Sequence, residues 1–203
     1  MFNLSSIQYT PKVYKMIGDL IPEGKTTLLH GRSGSGKTLS IIKYFNALGI
    51  EPVLLDFDEN DAYSKEKILH LDGYLFIDNL LNKAVKKDLL YALKGRIIII
   101  DTYAKCNLYL DEKLTEYKTP DIADVLEANG NTVVVIAHTE YFSGKEAEPD
   151  VDKVFANHVA CKLHLHRDIS FDKRSKSSKE YIYLTIEKLR NSTLTIIENW
   201  MRD

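Results

Sequence analysis

Apolar positions along the chain recur with two alternating periods, one of two residues and one close to that of a helix. Lys25-Thr-Thr-Leu-Leu-His30 alternates and is β-branched, which predicts a strand, and residues 39–48 carry apolar side chains at helical spacing. Glu51-Pro-Val-Leu-Leu-Asp56 predicts a short buried strand ending in acids, followed by a polar helix over about 61–69. A strand is expected at Tyr74-Leu-Phe-Ile77 and a helix over about 79–93, with Gly95 as its stop. The run Arg96-Ile-Ile-Ile-Ile-Asp101 predicts a strand, and residues 102–118 read as a polar connection. A helix opened by Thr119-Pro-Asp and closed at Gly130 precedes the strand 131–138. From about Val159 the pattern is of strands alone, over 159–166, 179–187 and 193–200, expected as antiparallel additions at one edge.

Strands alternating with helices, with runs apolar on both faces, predict an α/β fold whose mainly parallel central sheet is covered on both sides. The expected organisation is an N-terminal arm over 1–20 and one core over 21–203. At 203 residues the chain is long enough to bury a substantial core.

Composition narrows the partners. An apolar fraction of 44% and a charged fraction of 28% are ordinary for a soluble globular protein. The sequence has no apolar run of membrane-span length and no secretion signal at its start, so no membrane contact and a cytoplasmic location are expected. Cys106 and Cys161 lack ligand-like spacing and read as free thiols in a reducing compartment. A formal charge of −2 supplies no global field for nucleic acid, so any such contact has to be local.

The segment Gly31-Arg-Ser-Gly-Ser-Gly36-Lys37-Thr38 carries the chemistry, because it fits GxxxxGK[ST] between an expected strand and an expected helix. Glycines let the backbone of Gly31, Arg32, Ser33, Gly34 and Ser35 turn sharply and aim its N–H groups inward. Gly36, Lys37, Thr38 and Leu39 open the helix, whose positive end faces the same anion. Lys37 is expected on the β- and γ-phosphates and the Thr38 hydroxyl on Mg²⁺. Asp101, at the carboxyl end of four isoleucines, is the candidate second Mg²⁺ residue, since ligands of open parallel sheets bind beyond those strand ends. His138 ends the next apolar strand, where a polar side chain can register the γ-phosphate.

In order, the phosphate loop, Leu54-Leu-Asp56-Phe-Asp58-Glu59, Ile-Ile-Ile-Ile-Asp101, Ala137-His138-Thr139 and Lys188-Leu-Arg190 resemble the RecA and DnaB branch of P-loop ATPases over about residues 21–200. The resemblance implies a RecA-like P-loop NTPase that hydrolyses ATP with Mg²⁺. It implies a water-activating acid at Asp58 or Glu59, two alternatives that the sequence leaves open. It implies a homo-oligomer, ring or filament, in which Lys188 and Arg190 reach a neighbour's γ-phosphate. A loop over 140–150 holding Tyr141, Phe142 and Lys145, or the basic turn 172–179, would meet single-stranded DNA. With about twenty residues before the core and no room for a large domain after it, the chain is most similar to core-only phage recombination ATPases, which implies a single-strand-binding protein as a further partner. A small-molecule kinase and a loader or switch acting on a protein partner are the alternatives.

Overall fold

The computed structural model of the chain describes residues 14–58, 63, 65–142, 145–172, 177–190 and 197–201. Two short strands, β1 (Met16–Ile17) and β2 (Ile21–Pro22), pair antiparallel across the start of the core and bury Leu20 and Ile21. They lead into β3 (Thr26–Gly31) and helix α1 (Lys37–Ala47). Strands β4 (Val53–Asp56) and β5 (Leu69–Asp72) follow, then α2 (Gly73–Leu81), α3 (Lys86–Ala92), β6 (Ile97–Asp101), α4 (Tyr103–Glu112) and α5 (Thr119–Ala128). The last part holds β7 (Thr132–Phe142), β8 (Lys145–Pro149), α6 (Lys153–His158), β9 (Cys161–Asp172), β10 (Ser177–Leu189) and β11 (Ile197–Met201).

The main sheet has the order β11-β10-β9-β3-β7-β6-β4-β5, with β8 pairing off this path onto β7. From β9 through β5 the neighbours are parallel, whereas β10 is antiparallel to both β9 and β11. Strand alternation sorts the core into two layers. Leu28, Leu55, Ile98, Ile100 and Val135 face one side, where α2, α4, α5 and α6 supply Ile77, Leu110, Leu126 and Phe155. Leu29, Leu54, Ile99 and Ile136 face the other, against Ile42 and Phe45 of α1. Each such fully buried aliphatic side chain contributes about 1.5–3 kcal/mol. Among the described residues no helix is long and apolar enough to cross a membrane. Cys106 and Cys161 are free and buried on opposite layers.

The expected strand at 74–77 is instead part of α2: Asp72 caps the helix by accepting from Leu75 N at 3.0 Å, and Phe76, Ile77 and Leu80 are buried at helical spacing. The single helix expected over 79–93 is two, because Asn82 leaves helical geometry and its side chain accepts from Ala84 N in a local turn. The expected polar connection over 102–118 contains α4, which buries Tyr103, Cys106 and Leu110 under a Thr102 cap. No α-helix covers the described part of 61–69, where Leu69 opens β5 beside Val53. The loop expected over 140–150 is largely the β7–β8 ribbon. Of the late strands, β9 is parallel to β3, because the short helix α6 carries the chain back across the sheet before it enters β9.

Candidate nucleotide-binding site

The loop joining β3 to α1 owes its shape to glycine. Gly31, Gly34 and Gly36 have φ of 153°, 72° and 83°, and Gly36 is the N-cap of α1. A Cβ at Gly31 would lie 2.4 Å from the Leu165 carbonyl oxygen on β9, so that position excludes any side chain. Arg167 Nη1 donates to Gly34 O at 2.8 Å, which ties the loop to β9 a second time. Ser35 is buried, and its hydroxyl is a buried polar atom with no hydrogen-bond partner among the described residues. A polar cradle with such an orphan atom fits a phosphate. Arg32 and Ser33 are exposed at the loop tip, and Leu39 packs against the α1-side core.

Lys37 is almost wholly buried, and its Nζ donates to Gly31 O at 3.0 Å and Arg32 O at 2.7 Å. It is also 3.3 Å from His138 Nδ1. Burial pushes its ammonium down to about 8 from the ordinary 10.5, against the opposing pull of Asp101 and Asp58. Thr38 Oγ1 donates to Asp101 Oδ2 at 2.7 Å. Burial raises the Asp101 carboxyl to about 6, with Thr38 and Lys37 acting the other way and Asp58 and Asp56 adding to the rise.

His138 stands beside Gly31 where the β3–β7 pairing ends, but it is not the strand end expected, because β7 runs on to Phe142 and pairs there with β8. Burial, then the Lys37 charge, lowers its pKa and keeps the ring neutral. Asp58 is partly exposed, with Oδ1 3.3 Å from Lys105 Nζ, and its backbone N–H donates to Asp56 Oδ1 at 2.8 Å. Glu59 lies outside the described residues. Lys37, Thr38, Asp101, His138 and Asp58 therefore converge on one end of the sheet.

Lys188 and Arg190 do not join them. Lys188 Nζ donates to Asn157 O at 2.6 Å, and Arg190 Nη2 donates to the same carbonyl at the end of α6. Burial, then the Arg190 and Lys162 charges, lowers the Lys188 pKa. The two cations share a side because they are two residues apart, and a bulge in β10 decides which side that is: Ile186 pairs with Leu163 but Lys188 with Lys162, leaving Glu187 as the extra residue. The shift shows in the core, where Ile182, Leu184 and Ile186 are joined by Leu189 at an odd step. Side chains of Tyr141, Phe142 and Lys145 lie outside the described residues, as does the tip 173–176 of the basic turn.

Several residues here carried no motif. Tyr63 is buried, and burial raises its pKa while the neighbouring Thr38 hydroxyl opposes the rise. His70 Nε2 lies 2.9 Å from Asp56 Oδ2. Beneath the loop, His30 Nδ1 meets Thr139 Oγ1 at 3.0 Å, and its Nε2 meets Glu187 Oε2 at 2.9 Å. Burial works to raise the Glu187 carboxyl, but hydrogen bonds from His164, His30 and Lys162 outweigh it and hold the group well below the carboxylate range. A histidine just before the loop and a Thr after His138 were visible in the sequence; the Glu187 partner of His30, 157 positions away, was not.

With β7 inserted between the phosphate-loop strand and the Asp101 strand, and antiparallel strands closing one edge, the chain has the RecA-like P-loop fold. Among solved structures it is similar to a KaiC-like protein from the hyperthermophilic archaeon Pyrococcus horikoshii OT3, with a TM-score of 0.57 and 19% identity over 88% of this chain and 86% of that one. No protein-family model matches the chain. No curated protein matches it in sequence.

Proposed function

We propose that the protein is a Mg²⁺-dependent ATPase. The observation that carries this reading is the convergence of a glycine-turned amide cradle, the buried Lys37 ammonium and the Thr38–Asp101 pair at one sheet end. Residues 31–36 would hold the phosphates through backbone N–H groups, and Lys37 would exchange its carbonyl partners for phosphate oxygens. Mg²⁺, when bound by Thr38 and Asp101, supplies charge neutralisation for the transferred phosphoryl group. Asp58, exposed beside Lys105, or Glu59 would orient water, and neutral His138 would accept or donate a hydrogen bond at the γ-phosphate.

The substrate side of the reading is single-stranded DNA handled by a homo-oligomer in recombination or replication, of the phage type, with a single-strand-binding protein as partner. Two features support it. The β7–β8 ribbon extends the strand that bears His138, and its sequence offers Tyr141, Phe142 and Lys145 for stacking and phosphate contact. Lys188 and Arg190 share one face, which the bulge at Glu187 selects, and a neighbouring subunit's nucleotide could meet them there.

The deciding experiment is ATP turnover across protein concentration, with and without single-stranded DNA, for wild type and Lys37→Ala. Turnover that is abolished in the variant, rises steeply with concentration and is stimulated by DNA supports the whole reading. Unchanged turnover in Lys37→Ala refutes the site. Turnover indifferent to DNA but raised by a protein partner favours a loader, and phosphoryl transfer to a small acceptor favours a kinase.

A further inference from the structure

His30 on β3, His164 on β9 and Glu187 on β10 come from adjacent strands and meet on the sheet face that carries α6. His30 and His164 are register partners, and their rings stack with centroids 4.3 Å apart. The two histidines are 2% and 5% exposed, so solvent does not compete for their ring nitrogens. Glu187 is the bulged residue, and its carboxylate lies between both rings: Oε2 is 2.9 Å from His30 Nε2 and Oε1 is 3.2 Å from His164 Nδ1.

We infer that His30, His164 and Glu187 form a binding site for a divalent transition metal of the zinc class, separate from the phosphate loop. The donor set of two imidazoles and one carboxylate suits Zn²⁺ and Co²⁺ rather than Mg²⁺. One donor atom from each residue lies within 4.8 Å of the others. Ligands on a tetrahedral ion with bonds of about 2.0–2.1 Å sit about 3.3 Å apart, so small rotations of the side chains bring these donors to coordination distance. The far nitrogen of His30 has within reach the outer partner that such sites use: on metal binding the Nε2 proton that now bridges to Glu187 would be lost, and Nδ1–H would donate to Thr139 Oγ1, 3.0 Å away, leaving the Nε2 lone pair for the ion. An entry path exists as well. A cavity of about 400 Å³, lined by Glu187, Lys162, Lys188 and Asn157 among others, opens onto the carboxylate and leaves space for water as a fourth ligand.

Lys162 Nζ, 2.8 Å from Glu187 Oε2, competes with a cation for that oxygen. This opposition gives the site a signature that a purely hydrogen-bonded cluster lacks: removing the ammonium strengthens metal binding. A metal here would staple the strand that ends in the phosphate loop to the strand that carries Lys188.

The test is titration of the untagged full chain with Co²⁺ and Zn²⁺, in excess Mg²⁺ and without nucleotide, read by calorimetry and by the visible absorption of bound Co²⁺. Wild type is expected to bind one ion per chain with the spectrum of a four-coordinate, nitrogen-ligated centre. His164→Asn and Glu187→Gln should weaken binding at least about tenfold, Thr139→Val about 10–100-fold, and Lys162→Met should tighten it. Asp101→Asn should leave it unchanged, which separates this ion from one at the phosphate loop. Should a histidine variant fail to fold, the wild-type spectrum and the Lys162→Met affinity still decide. Absence of one-to-one binding in wild type, or binding unaltered by His164→Asn in folded protein, overturns the inference and leaves Glu187 as a hydrogen-bond acceptor only.

Discussion

Thr38 and Asp101 are joined by a 2.7 Å hydrogen bond although 63 positions separate them and β7 lies between β3, which leads into the Thr38 helix, and β6, which ends at Asp101. The contact spans a whole strand because α1 starts at Lys37 and leans its first turn over the carboxyl ends of the sheet, where Asp101 emerges. In the proposed ATPase a hydroxyl and a carboxylate so placed would form one half of the Mg²⁺ site, and burial of the acid raises its pKa.

Asp101→Asn should therefore separate stability from activity. The amide oxygen still accepts from Thr38, and the cost of a buried anion disappears, so thermal stability should hold or rise. ATP turnover should fall by about a hundredfold or more, because a several-kcal/mol contribution to Mg²⁺ placement is lost. Parallel melting and turnover measurements check this; loss of fold together with loss of activity would mean that Asp101 serves structure.

Gly31 and Gly34 should respond differently to alanine. At Gly31 the new methyl would sit 2.4 Å from the Leu165 oxygen, so β9 or the loop has to move. Gly31→Ala should cost about 2–4 kcal/mol. Gly34 has open space around it and only its φ of 72° to strain, so Gly34→Ala should cost about 1 kcal/mol. Urea denaturation of both variants compares them, and equal losses would contradict the close packing of β9 on the loop.

Raising the pH should move nucleotide affinity and stability in opposite directions. The folded Lys37 pKa is about 8 against 10.5 unfolded, so between these values the unfolded chain binds more protons and this group adds stability as pH rises. Phosphate binding needs the ammonium, so the affinity of the free protein for ATP should decline above about 8. Binding and denaturation series from neutral to alkaline pH test both signs. Lys37→Met should remove both dependences; an alkaline loss of affinity that survives in that variant would assign it to another group.

Arg190→Ala probes the proposed contact between subunits. Arg190 is exposed and bonded to the Asn157 carbonyl, so stability should change by no more than about 1 kcal/mol and ATP binding should persist. Turnover should drop at least about a hundredfold if the guanidinium completes a neighbour's site. Mixing the variant with Lys37→Ala protein checks the same point, since each chain would supply what the other lacks. No recovered turnover in the mixture would argue against a shared site.

The sequence alone determined the glycine loop after β3, the α/β class and the polar residues that close apolar runs, Asp101 and His138. Each of these depends on chemistry that is local in the chain: glycines that permit positive φ, or an unbroken apolar run that ends in one polar residue. Tertiary structure decided the rest. The run 74–77 and the stretch 102–118 became helices because Asp72 and Thr102 cap them and because the sheet offered a face for Phe76, Ile77, Cys106 and Leu110. Strand β9 became parallel because α6 reverses the chain, and one bulge re-aimed Lys188 and Leu189. The meeting of His30, His164 and Glu187 spans 157 positions and depends on two strand registers at once, information carried by pairing across the sheet and by no segment of the chain taken by itself.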